Sequence, residues 1–334
     1  MKKLLLLLLT VSAFSFASKA QDTIKVTSDA PLVISGSVDA YYKYDFSGHS
    51  NIPTYYGSDQ NSFSIGMVDL AVKKKVGAAS FVGELSFGPR SDASLPVPAN
   101  HIENLYVSYD VSSSFNLTMG YMATFIGYEV ISPTGNFNYS TSYLFSAGPF
   151  QNAGLKATYT FSPSASLMVG AFNDQWNVYT STGKINTLGA QLMLVPVKNW
   201  TAYLNLATGP ASGTILDLTT AYQMTDAFKL GLNYATKSGN GAANYDGIAL
   251  YPQLAVAKTV TLGLRGEYFE WKAVGTTPSS SITALTFTAN IKSGPLTFMP
   301  ELRMDTGKNK IYTDSNGAAT SSATQFLFAA VYAF

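Results

Sequence analysis

The side chains best suited to bond-making chemistry are scarce in this chain. Among 334 residues there are two histidines, His49 and His101, and no cysteine, which removes thiolate nucleophiles, thiolate metal sites and disulfides. A Ser-His hydrolase needs a histidine held beside its nucleophile, and no Gly-x-Ser-x-Gly turn occurs to present one. His101-Ile-Glu103 lacks further ligands at metal spacing. Asp314-Ser-Asn316-Gly317 has the residues a tight turn prefers but too few oxygens for a dedicated calcium loop. These patterns argue against catalysis and predict no cofactor. What does recur is charge at every second residue. Arg265 and Glu267 alternate with Leu264 and Tyr268, and Glu301, Arg303 and Asp305 alternate with Leu302 and Met304.

Charges spaced in this way must ride on strands, because successive side chains of a strand point to opposite faces. The composition says what those strands stand in. Only 12% of residues are charged, against 46% hydrophobic, 13% aromatic and a mean hydropathy of +0.10. A typical soluble domain carries about 25% charged residues, so the chain lacks the charge that wets a cytosolic surface, and its apolar content excludes disorder. Residues 1–20 read as a secretory signal peptide: Lys2-Lys3, an apolar run from Leu4 to about Ala17, then Ser18-Lys19-Ala20 before Gln21. Cleavage there removes Lys2, Lys3 and Lys19 and takes the formal charge from +1 to −2. No basic run remains to hold a phosphate backbone, so nucleic acid is not an expected partner.

Residues 21–334 read as one domain. No apolar stretch of 18 residues follows the leader, which excludes helical spans. Period-two segments of roughly ten residues recur instead, the pattern of a transmembrane barrel. In one, Ile34, Val38, Tyr42, Tyr44 and Phe46 oppose Ser35, Ser37, Asp39, Lys43 and Asp45. In another, Phe228, Leu230, Leu232 and Tyr234 oppose Lys229, Gly231, Asn233 and Lys237. About sixteen strands are predicted, at 32–46, 61–76, 78–88, 101–110, 114–123, 150–160, 164–172, 184–195, 199–207, 212–223, 226–236, 246–257, 259–271, 282–293, 295–305 and 322–334. Short turns and longer loops alternate between them. The fold expectation is therefore all-β: a transmembrane antiparallel β-barrel with short periplasmic turns and longer outer loops.

The C-terminal strand supports this expectation. Phe326, Phe328, Tyr332 and Phe334 share one face, and closure pairs every backbone group that lipid cannot. Tyr332 and Phe334 resemble the terminal signal read by the outer-membrane barrel assembly machinery. Trp176, Trp200, Tyr203, Tyr268 and Trp271 fall near strand ends, where aromatic girdles form. Pro252 and Pro300 oppose the reading, since each removes an N–H from a ladder.

The segment from Gly120 to Gly154 is the most distinctive: Gly120-Tyr-Met-Ala-Thr-Phe-Ile-Gly-Tyr-Glu129, Asn138-Tyr-Ser140, Ser142-Tyr143 and Gly148-Pro149-Phe150. With Ile102-Glu103-Asn104-Leu105-Tyr106-Val107-Ser108-Tyr109 and Pro300-Glu301-Leu302-Arg303-Met304-Asp305, it resembles the OmpL-like beta-barrel porin family over essentially the whole mature chain. Tyr121-Met122 departs from that pattern, where a lysine is expected. The resemblance implies an outer-membrane porin passing small hydrophilic solutes and ions by diffusion, lodged in outer-membrane lipid, with a homo-oligomer as an option. It also implies that the third outer loop, 124–149, folds into the lumen and narrows it. Glu129 would then stand at the constriction, with Glu84, Arg90, Lys156, Arg265, Glu267, Glu301, Arg303 and Asp305 lining the walls around it. Charges in such a passage set ion preference. The alternative is a non-conducting outer-membrane barrel acting in surface binding, adhesion or structure.

Overall fold

The computed structural model describes residues 30–95, 101–180, 183–239 and 244–334, so the expected leader at 1–20 lies outside the described residues. Sixteen strands close one barrel: β1 (Val33–Asp45), β2 (Ser62–Val76), β3 (Ala79–Phe87), β4 (Ile102–Asp110), β5 (Phe115–Ala123), β6 (Gln151–Ser162), β7 (Ala165–Asn173), β8 (Ile185–Val197), β9 (Trp200–Gly209), β10 (Gly213–Gln223), β11 (Phe228–Ser238), β12 (Tyr245–Ala257), β13 (Val260–Trp271), β14 (Ser280–Ser293), β15 (Leu296–Gly307) and β18 (Ser322–Ala333). Each pairs antiparallel with its chain neighbour, and β18 returns to β1 from Ser37 opposite Ala333 to Asp45 opposite Gln325. At that seam Gly36 and Phe334 exchange both backbone hydrogen bonds at 3.1 Å. All sixteen expected strands form, with ends within two residues of expectation.

The two faces are inverted relative to a soluble sheet. Large apolar side chains such as Leu70, Val107, Leu204, Leu216, Leu250, Leu262, Phe287 and Phe326 point outward and stay exposed, whereas Asp39, Lys43, Asp69, Asp217, Arg265, Glu267, Glu301 and Arg303 point inward and are buried. Hydrocarbon outside and polar groups inside are what a bilayer requires of a barrel wall.

Both prolines are absorbed without a change of register. Pairing of β12 with β13 runs from Leu250–Gly266 to Gln253–Gly263 with no rung at Pro252. Pairing of β14 with β15 likewise skips from Thr288–Glu301 to Ile291–Phe298 across Pro300. Each ring faces a local gap on one side while the other neighbour still pairs, Leu230 with Pro252 and Phe328 with Pro300. Of the girdle expectations, Trp200 and Tyr268 lie on the outward face, Trp200 against Tyr222. Trp271 instead packs inward on Phe269 and Tyr143, Tyr203 lines the lumen beside Phe125 and Tyr128, and Trp176 packs against a loop cluster around Ile126. Sequence proximity to a strand end does not fix the face.

Short elements lie within the long loops. Helix α1 (Pro89–Ser94) follows β3, helix α2 (Tyr143–Ala147) precedes β6, and β16 (Tyr312–Thr313) pairs with β17 (Ala319–Thr320). The tip of that hairpin is a turn in which Asp314 Oδ1 accepts from the amides of Asn316 and Ala318, so its carboxylate is committed to the backbone.

Candidate constriction in the lumen

The segment between β5 and β6 enters the barrel, and residues 138–144 are all buried. It leaves the wall after Ala123, three residues past Gly120, whose φ of 145° is a conformation L side chains rarely adopt. A Cβ there would also overlap the Leu105 carbonyl. Non-helical backbone deep in a protein must find partners for each N–H and C=O. The inward charges of the opposite wall supply them.

Carboxylates receive the amides. Glu267 Oε2 accepts from the Tyr143 amide at 3.0 Å and Oε1 from Leu144 at 2.8 Å, at the start of α2. Glu301 Oε2 accepts from Tyr139 at 3.1 Å and from the Thr288 hydroxyl at 3.0 Å. Asp217, on β10, accepts from the Gly127 amide at 3.1 Å and from Asn205 and Asn233. Arginines receive the carbonyls. Arg265 donates to Ser140 O at 2.6 Å and pairs with Glu129 at 2.7 Å, while Glu129 Oε2 accepts from the Ser142 amide and hydroxyl. Arg303 grips Asp305 with two N–H groups at 2.8 and 3.0 Å and uses its third nitrogen for Thr141 O and Thr54. Such charge-assisted bonds are the strong ones. Because both guanidinium groups are fully buried, removing either carboxylate partner would leave an uncompensated charge.

Packing adds to the electrostatics. Phe125, Tyr128, Phe137 and Leu144 sit against Gly189, Gly231, Gly263 and Gly247 of the inner wall, where any Cβ would overlap them. The Tyr128 ring stacks on Tyr251 with centroids 4.5 Å apart. The Tyr139 hydroxyl donates to Asp39 at 2.5 Å, and Tyr143 donates to Asp305 at 2.8 Å. Burial, reinforced by the Glu129 charge, pushes the Tyr128 phenol up to about 12. Burial likewise raises Tyr139, with Asp39 as the next cause, and Tyr143, with Asp305 next.

The residues nominated from sequence therefore fall into three settings. Glu129, Arg265, Glu267, Glu301, Arg303 and Asp305 converge on the seated segment. Arg90 is not on the wall: Pro89 opens α1 after Gly88 (φ 109°), and this short helix carries the guanidinium inward. It lies 4.3 Å from the Tyr56 ring centroid and 4.8 Å from Tyr139, donating to Tyr139 O at 3.1 Å. Glu84 and Lys156 stand apart on the opposite wall, half-buried, with Glu84 accepting from Asn104 at 2.6 Å. Tyr332 and Phe334 are exposed on the outward face at the seam.

Sequence reasoning passed over four contributors. Asp39, Asp69 and Asp217 obey the same alternation and could have been nominated; Asp69 accepts from Ser132 of the segment at 3.0 Å. Glu103 could not, because alternation with inward Asn104 points it at lipid. A bulge between Glu84–Asn104 and Leu85–Ile102 turns both Glu103 and Asn104 inward, where both are buried.

Comparison with known proteins agrees with this architecture. Solved structures similar to the chain include the outer membrane channel DcaP of Acinetobacter baumannii (12% identity, TM-score 0.60, covering 91% of this chain and 97% of that one). An anion-selective porin from Comamonas acidovorans matches at 12% identity and TM-score 0.61, covering 91% and 99%. OmpT, an outer membrane protein of Vibrio cholerae in trimer form, matches at 12% and 0.58, also covering 91% and 99%. At these identities the likeness is one of fold. No curated protein sequence matches. The family model described as "Putative beta-barrel porin-2, OmpL-like" matches residues 31–334. Carrying that match over nearly its whole length on a closed sixteen-stranded barrel, the chain belongs to the OmpL-like beta-barrel porin family of the outer membrane.

Proposed function

We propose that this barrel is a passive aqueous channel for small hydrophilic solutes and ions, with segment 124–149 as its constriction. The observation that carries the reading is the lopsided seat of that segment. It is bonded most heavily to β13, β14 and β15 through Arg265, Glu267, Thr288, Glu301 and Arg303, and at single points to Asp39 on β1, Asp69 on β2 and Asp217 on β10. On the far wall the inward side chains of Glu84, Tyr106, Ser108, Lys156 and Thr158 are only half-buried, as suits a water-filled passage. Sixteen strands enclose enough room for one. Glu84 and Lys156 line it with opposite charges, which predicts weak ion selectivity. Export by the leader at 1–20, insertion by the barrel assembly machinery through Tyr332 and Phe334, and assembly into a homo-oligomer complete the reading. One structural neighbour is described as a trimer.

The test is planar-bilayer recording of the refolded mature protein, with liposome swelling in small sugars alongside. Stepwise, ohmic openings and sugar-dependent swelling are expected. Silence in both assays from protein with the heat-modifiable mobility of a closed barrel would overturn the reading.

A further inference from the structure

The two arms of segment 124–149 do not pack on each other throughout. Between Thr124–Ile131 and Leu144–Phe150 lies a cavity of about 80 Å³, closed at its ends by β4 and β6 on one side and β10 to β12 on the other. That is room for a few waters or one small organic ion. Its middle is apolar, from Ile126, Val130, Phe145 and Phe150. Its charged groups are all acidic, beside the uncharged Thr124, Gln151, Asn233 and Tyr245. Glu103, Glu129 and Asp217 line it, and no lysine or arginine does.

These carboxylates differ in what they already hold. Glu129 is neutralised by Arg265. Asp217 accepts three N–H bonds, all from uncharged donors. Glu103 is 6% exposed, and its Oε2 has no hydrogen-bond partner; beside it, fully buried Gln151 spends its amide N–H on Glu103 O and leaves its Oε1 unpartnered. The Glu103 carboxyl has a side-chain hydrogen bond with Ser86, and the charges acting on it are Glu84 and Asp69, both negative, and Arg90, whose guanidinium faces the Tyr56 and Tyr139 rings. Two buried acceptor oxygens without a hydrogen-bond partner, both on residues that line the cavity, cost free energy that a ligand can recover. Among the described residues no three His, Cys, Asp or Glu side chains converge on a metal. Apolar and aromatic walls suit the alkyl part of an organic cation and its contact with ring faces.

We propose that this cavity is a binding site for a small alkylammonium ion, its N–H groups donated to Glu103 Oε2 and Gln151 Oε1 and its alkyl group against Phe145 and Phe150. The site depends on the seated segment and not on conduction, so a silent channel that binds the ion would retain it.

The test is equilibrium binding to the full-length mature barrel in detergent micelles, read by calorimetry and saturation-transfer NMR. The probes are ethylammonium chloride, ethanol as the uncharged analogue and sodium acetate as the anion. Saturable binding of ethylammonium alone is expected, weakened at least tenfold in Glu103→Gln and unchanged in Lys258→Ala, at a distant turn. Absence of saturable ethylammonium binding, or equal binding of ethanol, would overturn the proposal on wild-type protein without any variant. Undiminished binding in a Glu103→Gln barrel of normal heat-modifiable mobility would overturn it as well.

Discussion

The lumen wall has two unlike halves. From β12 to β15 the strands are 12 to 14 residues long and their inner faces carry arginines, carboxylates and niche glycines, nearly all buried under segment 124–149. From β3 to β5 the strands are nine residues long and their inner faces offer Glu84, Tyr106, Ser108 and Thr118, with Lys156 beside them on β6. The same alternation of apolar and polar residues builds both halves. What differs is whether the charges face a backbone that needs partners or stand half-buried, away from the inserted segment. A wall charge is thus not by itself a pore charge: Arg265 and Glu267 hold the inserted segment in place, whereas in the proposed channel Glu84 and Lys156 are left to meet solutes.

The comparison breaks most severely if the gripping half loses a hand. Arg303→Ala leaves the buried Asp305 carboxylate without its cation and Thr141 O without a donor, and breaking a buried pair typically costs about 3–5 kcal/mol. Protease cutting within 124–149 and an increased conductance are expected, with heat-modifiable mobility retained. Lys156→Ala on the other half leaves the segment resistant. A subtler contrast lies on one strand. Gly263→Ala on β13 drives a methyl into Phe137, while Gly266→Ala three residues on meets nothing nearer than Leu285 at 4.0 Å. Overpacking of the first kind costs about 1–3 kcal/mol, so only Gly263→Ala is expected to raise conductance noise and proteolysis.

Titration sharpens the picture further. Tyr128 has its phenol raised to about 12 against an ordinary value of 10. A raised acid favours the protonated form, so its contribution to seating is complete below pH 10 and is lost as pH climbs through about 12. Wild-type conductance is expected to hold to pH 10 and rise above it, and Tyr128→Phe should flatten that rise. The smallest effect expected is from Lys156→Glu, which reverses one charge on the open half. A shift of reversal potential toward cations by a few millivolts in a salt gradient, at nearly unchanged conductance, is the outcome that fits. No shift would place Lys156 outside the ion path.

Much of this is legible in the sequence itself. Period-two alternation located every barrel strand and put Arg265, Glu267, Glu301, Arg303 and Asp305 on the inner face, because burial on one side of a strand imposes that period. What alternation cannot say is what stands across the lumen, since partners such as Glu129 and Arg265 are separated by 136 residues. Local backbone departures hid the rest. The bulge at Glu103 turns inward a residue that strict alternation would point at lipid, and the turn at Gly88 carries Arg90 into a helix rather than along a wall. The prolines mislead in the opposite sense, because a gap of two rungs in a closed barrel leaves the register intact.

On the proposed reading, segment 124–149 narrows an otherwise open bore by standing mainly against one half of the wall. Single-channel conductance of the wild-type barrel and of a variant lacking residues 130–147 tests it most directly. Discrete, long-lived openings in both are expected, several-fold larger in the deletion variant. Equal conductance in two correctly folded barrels would contradict the claim, because the segment would then occupy no part of the conducting path.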